Sequence, residues 1–262
     1  MHNVKILDCT LRDGGYYNNW DFSTNLSKNY LNVLSKTSVD VIEIGFRKPV
    51  NNIVSGSSGL KKIGKFLISE DKFLSKLNIP KNKKISVMID LSDYLGEDGL
   101  ENLKRNFIKS KNSVVNMVRI ACNYNDKKKL GKVVKFLKSQ DYIVCVNLMK
   151  FTILKNNQIL SFFKSALNYG ANYLYLADSF GNCLPGRIKN ISKLVKKNTI
   201  DMSILGFHSH DNTGNALNNT IAAIKEGFGI IDTSIMGMGR GAGNLKLEDF
   251  LKYKKNFLEK KK

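Results

Sequence analysis

The stretch Gly206-Phe207-His208-Ser209-His210-Asp211-Asn212 holds two of the chain's three histidines, one residue apart. The preceding Ile204-Leu205 and the β-friendly Phe207 mark the end of a strand. Side chains at i and i+2 on a strand leave the same face, so both imidazoles point into one space. Two neutral imidazoles plus one carboxylate form a facial ligand set for a divalent cation, with positions left open for substrate. The competing reading is two histidines with unrelated packing roles, and the rest of the chain decides between them.

Short apolar, β-branched runs like this one recur at Val4–Leu11, Val39–Phe46, Ile85–Leu91, Val115–Cys122, Ile143–Met149, Tyr173–Ala177, Ile204–His210 and Ile230–Met236. Between them lie stretches of helical periodicity, such as Leu26/Tyr30/Leu31/Leu34 and Ile159/Phe162/Phe163/Leu167. Gly170 and Gly227 stand where helices should stop. Strand-then-helix units predict parallel strands joined by crossover helices. Near-continuous apolar strands are what a helix-covered sheet demands. An open doubly wound sheet needs the same local pattern, but eight units in 262 residues favour a (β/α)8 TIM barrel. Asp8, Arg12, Asp13, Glu43, Arg119, Asn147, Asp178, Ser179, His208, His210 and Asn244 mostly fall at or just after strand C-terminal ends, where barrel active sites are assembled. No linker or composition break divides the chain, which predicts one domain over 1–262 with a short basic tail from about 254 to 262.

Composition fits a soluble globular protein, 42% hydrophobic and 10% aromatic. With no run of 18 apolar residues and no basic-apolar leader, neither a membrane span nor a secretory signal is expected. Cys9, Cys122, Cys145 and Cys183 are widely spaced, mostly in or beside apolar runs, so they read as small buried thiols rather than a disulfide framework. That fits a reducing cytoplasm. None lies near the histidine pair in sequence, so a structural zinc site is not expected. The net charge of +20 raises the question of nucleic acid. Its lysines, however, are scattered along polar helix faces, and no stacking aromatics interleave the one dense cluster at the tail. General surface basicity, mildly attractive to anionic substrates, is the expectation, without a nucleic-acid partner.

The first strand runs into Asp8-Cys9-Thr10-Leu11-Arg12-Asp13-Gly14-Gly15. Turn glycines there would let Arg12 and Asp13 both face the barrel mouth, although such a pair can also be a local salt bridge. Glu43 places a carboxylate among apolar residues, which is costly unless paired, and Arg12 is its natural partner. Gly237-Met-Gly-Arg-Gly-Ala-Gly-Asn244 can cradle phosphate, or its glycines can let Asn244 approach the centre.

Together, Thr10-Leu11-Arg12-Asp13-Gly14, Glu43 with Gly45, His208-Ser-His210-Asp-Asn212 and Gly237–Asn244 resemble, in order and spacing, the DRE-TIM metallolyases. That superfamily includes hydroxymethylglutaryl-CoA lyase, isopropylmalate and homocitrate synthases, and 4-hydroxy-2-oxovalerate aldolase. The resemblance runs from residue 5 to about 248. It implies a TIM barrel with Mn²⁺ or Mg²⁺ held by Asp13, His208 and His210, with Asn244 as a fourth protein ligand, and carbon–carbon bond chemistry through an enolate. A 2-oxo acid can chelate such an ion; the metal and the Arg12 guanidinium would then stabilise the enolate oxygen. Glu43 would orient Arg12. Ser179 matches the substrate-binding serine of the aldolase branch. Arg119, Asn147 and His208 join Arg12 and Ser179 as expected substrate contacts, and Asp178 reads as a structural carboxylate.

This chain also departs from its relatives. Where the 4-hydroxy-2-oxovalerate aldolases carry a histidine base, it has Tyr16. A phenol starts as an acid at neutral pH, but a nearby cation such as the metal or Arg12 would lower its pKa and let it relay a proton. Alternatively, Tyr16 and Tyr17 close the mouth. The lyase branch's loop cysteine is missing from Met238–Ala242, and no long C-terminal extension follows the barrel. The expected activity is therefore a metal-dependent, aldolase-like one on a 4-hydroxy-2-oxo acid, with a 2-oxo acid and an aldehyde as small-molecule partners. Homo-oligomerisation is left open. The alternatives are a Claisen-type acyltransferase using acetyl-CoA and a 2-oxo acid, and a catalytically silent binding barrel.

Overall fold

Eight parallel strands close into a barrel in the order β1 to β8. They are β1 (Lys5–Asp8), β2 (Val41–Phe46), β3 (Lys84–Asp90), β4 (Met117–Cys122), β5 (Ile143–Met149), β6 (Tyr173–Asp178), β7 (Leu205–Ser209) and β8 (Ile230–Thr233). The computed structural model describes residues 4–50 and 63–259. Within them the helices are α1 (Thr10–Asn18), α2 (Thr24–Ser35), α3 (Asp71–Leu74), α4 (Gly99–Asn106), α5 (Leu130–Ser139), α6 (Asn156–Asn168), α7 (Pro185–Lys197), α8 (Ala216–Glu226) and α9 (Leu247–Glu259). The molecule is a single-domain TIM barrel, as the alternating pattern predicts. Lys254 and Lys255 continue α9; residues 260–262 of the basic stretch lie outside the described residues.

The closing seam joins first and last strands, with Lys5 opposite Ile230 and Asp8 opposite Thr233. The outer strand faces meet the helices in one large core that includes Ile6, Ile42, Val87, Ile120, Val146, Leu176 and Ile231. The inner faces form a separate plug of Leu7, Cys9, Val41, Met117, Cys145, Tyr175 and Ile230. Strand periodicity of two places the next inward residue one step nearer the mouth. From Val41, Met117, Cys145 and Ile230 that step gives Glu43, Arg119, Asn147 and Asp232. A charged layer therefore sits directly above an apolar one. Above it, Phe46, Leu67, Met88 and Ala121 form an apolar patch on one side of the mouth.

The strand boundaries shift at both ends of the chain. β1 stops at Asp8 and α1 begins at Thr10, so Gly14 and Gly15 are helical rather than a turn. What requires a glycine at 15 is close approach, since a Cβ there would lie 2.0 Å from the Trp20 ring. β8 ends at Thr233 and gives way to a 3-10 turn over Ile235–Gly237.

Candidate active site

Asp13 and Arg12 stand in the first turn of α1, with Cys9 as its N-cap. The Arg12 guanidinium donates to Asp13 and, through Nε, to Glu43 Oε1 at 2.5 Å. It also lies 5.9 Å from the Phe46 ring centroid. Burial works against its charge, but Asp13 and Glu43 more than reverse this, so Arg12 is held in its protonated form. Glu43 gives its other oxygen, Oε2, to Arg119 Nη1 at 2.7 Å.

Across the mouth, the His208 and His210 rings meet edge to face, with centroids 4.9 Å apart. Each Nδ1 is engaged, His208 with Asp232 Oδ2 at 2.9 Å and His210 with the Asp178 carbonyl at 2.8 Å. A carbonyl or carboxylate oxygen can only accept, so both Nδ1 atoms donate, which in a neutral ring leaves the lone pair on Nε2. Burial holds His208 well below the ordinary histidine range, so it is neutral at pH 7. Its Nε2 lies 3.7 Å from Asp13 Oδ2.

Asn244 completes this side. It bridges His210 in an isolated antiparallel pairing, and its Nδ2 donates to Asp13 Oδ2 at 2.6 Å. Its Oδ1 is buried without a hydrogen-bond partner. The glycine loop exists to bring it there: a Cβ at Gly239 would fall 2.6 Å from Asn244 Oδ1, and Gly243 adopts φ +90°. Of the two roles open to this loop, the structure shows the approach of Asn244.

These groups suit a divalent cation. The donors available are imidazole nitrogens with fixed tautomers, a carboxylate, and an amide oxygen lacking any other partner. Among the described residues the tightest donor cluster is Cys9, Asp13 and His208, whose ligand atoms lie within 4.8 Å of one another. His210 stands beside that cluster rather than within it. A cysteine is thus adjacent after all, contrary to the sequence reading: Cys9 Sγ is 3.4 Å from Asp13 Oδ2. Burial, and next Asp13, push its thiol pKa well up.

Arg119, expected to contact substrate, lies a layer too deep. It is fully buried, spans Glu43 and Asp232 (Nη2 to Oδ2 2.5 Å), and rests 4.2 Å above the Tyr175 ring centroid. Asn147 pairs with Ala121, one inward step nearer the mouth than Arg119, and is buried with an unpartnered Oδ1. Ser179 is half-buried, its Oγ accepting from the Lys150 amide at 3.0 Å. Asp178 accepts from the backbone N–H of Asn182 and Cys183, a structural use.

Tyr16 is 42% exposed at the mouth, edge-on to Trp20 at 4.9 Å, with the Arg240 guanidinium 5.3 Å from its ring centroid. Of the two cations expected to lower its pKa, Arg12 does not prevail: burial raises the phenol against its pull. Tyr16 is an acid at neutral pH. Its neighbour Tyr17 donates to the Gly239 carbonyl and so ties α1 to the glycine loop.

Asp232 escaped the sequence reading, because one acid within Ile230-Ile231-Asp232 carries no motif. Its inward register two residues beyond Ile230 was the only signal. Burial raises its pKa, and Arg119 pulls it back down.

A cavity of about 1070 Å³, bordered by Lys5, Lys84 and Tyr173, opens at the opposite end of the barrel. Converging polar groups place the candidate chemistry at the strand C-terminal ends instead. No described helix is long and apolar enough to cross a membrane.

A family model described as HMGL-like matches residues 3–255. The 4-hydroxy-2-oxovalerate aldolase of Bacillus cereus is 27% identical over 249 residues, covering 95% of this chain and 68% of that protein. That of Pectobacterium atrosepticum is 28% identical over 248 residues, covering 94% and 67%. Among solved structures, the N-terminal domain of a proposed aldolase from Bacteroides vulgatus superposes with TM-score 0.78 at 34% identity, covering 95% of this chain and 79% of that one. The HMG-CoA lyase of Bacillus subtilis, at 17% identity and TM-score 0.76 over 98% and 87%, is alike in fold.

Proposed function

The chain belongs to the HMGL-like family, and from that premise we propose that it is a divalent-metal-dependent aldolase. It would cleave or form a 4-hydroxy-2-oxo acid through the enolate of pyruvate or a related 2-oxo acid. The observation that carries this reading is a buried guanidinium, Arg12, pinned by Glu43 beside the donor set of Asp13 and His208. Names among the relatives favour the aldolase branch.

Asp13, His208, His210 and Asn244 would hold Mn²⁺ or Mg²⁺, which when bound supplies Lewis acidity to the keto and carboxylate oxygens of the 2-oxo acid. Arg12 then offers fixed N–H donors where negative charge develops, without reorganising, because Glu43 already sets its orientation. Glu43 itself acts through Arg12, as a positioning residue. Tyr16, protonated at neutral pH, is suited to donating a proton to the aldehyde oxygen in the condensing direction. In cleavage a phenol that already carries its proton would serve only as a hydrogen-bond partner to the 4-hydroxyl, whose proton would pass to another base such as water. Ser179 stands at the mouth as a substrate-binding hydroxyl, and Asn147 offers a free amide oxygen below it. The partners are small molecules, a 2-oxo acid and an aldehyde.

The test is a screen of 2-oxo acid and aldehyde pairs with Mn²⁺, read by product formation, with exchange of pyruvate methyl protons into D₂O as a second readout. Aldehyde-dependent consumption of the 2-oxo acid supports the proposal. Release of free CoA only when acetyl-CoA and a 2-oxo acid are both present would replace it with a Claisen-type transferase. Neither product formation nor proton exchange would point to a binding barrel.

A further inference from the structure

Beneath the mouth, one unbroken chain of buried contacts links the two halves of the site. His208 Nδ1 meets Asp232 Oδ2 at 2.9 Å, and that same oxygen accepts from Arg119 Nη2 at 2.5 Å. Arg119 Nη1 reaches Glu43 Oε2 at 2.7 Å, and Glu43 Oε1 reaches Arg12 Nε at 2.5 Å. Arg12 contacts Asp13, whose Oδ2 faces His208 Nε2 at 3.7 Å. The path returns to its starting point.

We propose that Asp232 is the positioning residue for the His208 imidazole, and that Arg119 fastens it to Glu43 so that the cation-binding and guanidinium ends are held as one frame. This rests on the metal-dependent reading above.

Two features argue for it. A carboxylate cannot donate, so Asp232 obliges His208 to carry its proton on Nδ1 and leaves the Nε2 lone pair aimed at Asp13. The frame also contains three carboxylates (Asp13, Glu43, Asp232) against two guanidiniums (Arg12, Arg119), which leaves one negative charge in a buried space. Uncompensated buried charge is costly, and a cation beside Asp13 offsets it. A set of charges that merely plugged the barrel would have no reason to end in an imidazole whose Nε2 faces a carboxylate across 3.7 Å.

The experiment uses the whole chain with ¹⁵N-labelled imidazoles, metal-free, and needs no substrate. Long-range ¹H–¹⁵N spectra, assigned with a His210→Gln variant, should show His208 protonated on Nδ1; a proton on Nε2 overturns the proposal. Asp232→Asn keeps the shape and removes the charge. Its Mn²⁺ affinity, followed by the EPR signal of the free ion, should fall about 10- to 100-fold. A folded Asp232→Asn chain that binds Mn²⁺ like the parent overturns the proposal as well. Should that variant not fold, the tautomer of the parent still decides. A parent that binds no Mn²⁺ removes the metal-dependent reading and this proposal with it, an outcome distinct from a parent that binds the ion and a variant that is indifferent.

Discussion

Trp20 donates its indole N–H to the main-chain carbonyl of Arg12 at 2.8 Å, so a residue just past the end of α1 also holds the backbone of the site's buried cation. The indole can lie there only because position 15 has no side chain. Gly15→Ala would put a methyl 2.0 Å from the Trp20 ring. We expect a stability loss of about 1–3 kcal/mol from overpacking, with a fall in kcat as Arg12 loses its tether. Denaturant unfolding and turnover check this together; unchanged values for both would show the indole to be dispensable.

Arg12→Lys keeps the charge and loses the planar fork that meets both Asp13 and Glu43. Turnover should drop about 10²-fold with metal affinity nearly constant. A fully active lysine variant would remove enolate stabilisation by this residue.

Glu43→Gln has a larger structural effect than its link to Arg12 alone suggests, because the same carboxylate also pairs with fully buried Arg119. Breaking a buried pair on one side costs about 3–5 kcal/mol. The melting temperature should fall clearly, beyond the effect of Arg12→Lys, and calorimetry of both variants decides it.

His208→Ala combined with His210→Ala should abolish Mn²⁺ binding, measured as metal per chain by elemental analysis. In the parent, Mn²⁺ at 100 times its Kd should stabilise the fold by about 2.7 kcal/mol, and a chelator should reverse this. Retained stoichiometry in the double variant would relocate the metal site.

Asp8 is fully buried, accepts from Tyr30 at 2.5 Å, and leaves Oδ2 without a partner. Burial raises its pKa from 3.8 to about 6. The folded chain therefore keeps a proton that the unfolded chain has released, so stability falls as pH climbs from about 4 to 6 and the deficit persists above that. Asp8→Asn should gain up to about 3 kcal/mol at pH 8 and nothing below pH 4. A pH-independent difference between the two proteins would contradict this assignment.

The barrel was readable because every strand is a compact apolar run, and Ile143–Met149 even matches to the residue. The histidine pair and the Arg-Asp pair were readable because adjacent residues carry their geometry locally. What stayed hidden depends on distance in space. Two successive glycines argue against helix, yet α1 holds because Trp20 and Met238 close over Gly15 and Gly14. Sequence places Arg119 on the inner face of β4 but cannot tell how deep it lies, which is why it looked like a substrate contact. Tyr16 has an arginine four residues before it, yet burial by Trp20 and Phe46 outweighs that charge.

The seam of the barrel has a temporal meaning. Asp13 leaves the ribosome well before His208, His210 and Asn244, and β1 waits for β8 before the cylinder can close. A nascent chain ending before β7 owns a carboxylate and a guanidinium but neither imidazole. If the chain holds a cation as proposed, its capture would wait until β7 and the Asn244 loop have emerged, as a clasp that chains cut short of β7 would lack.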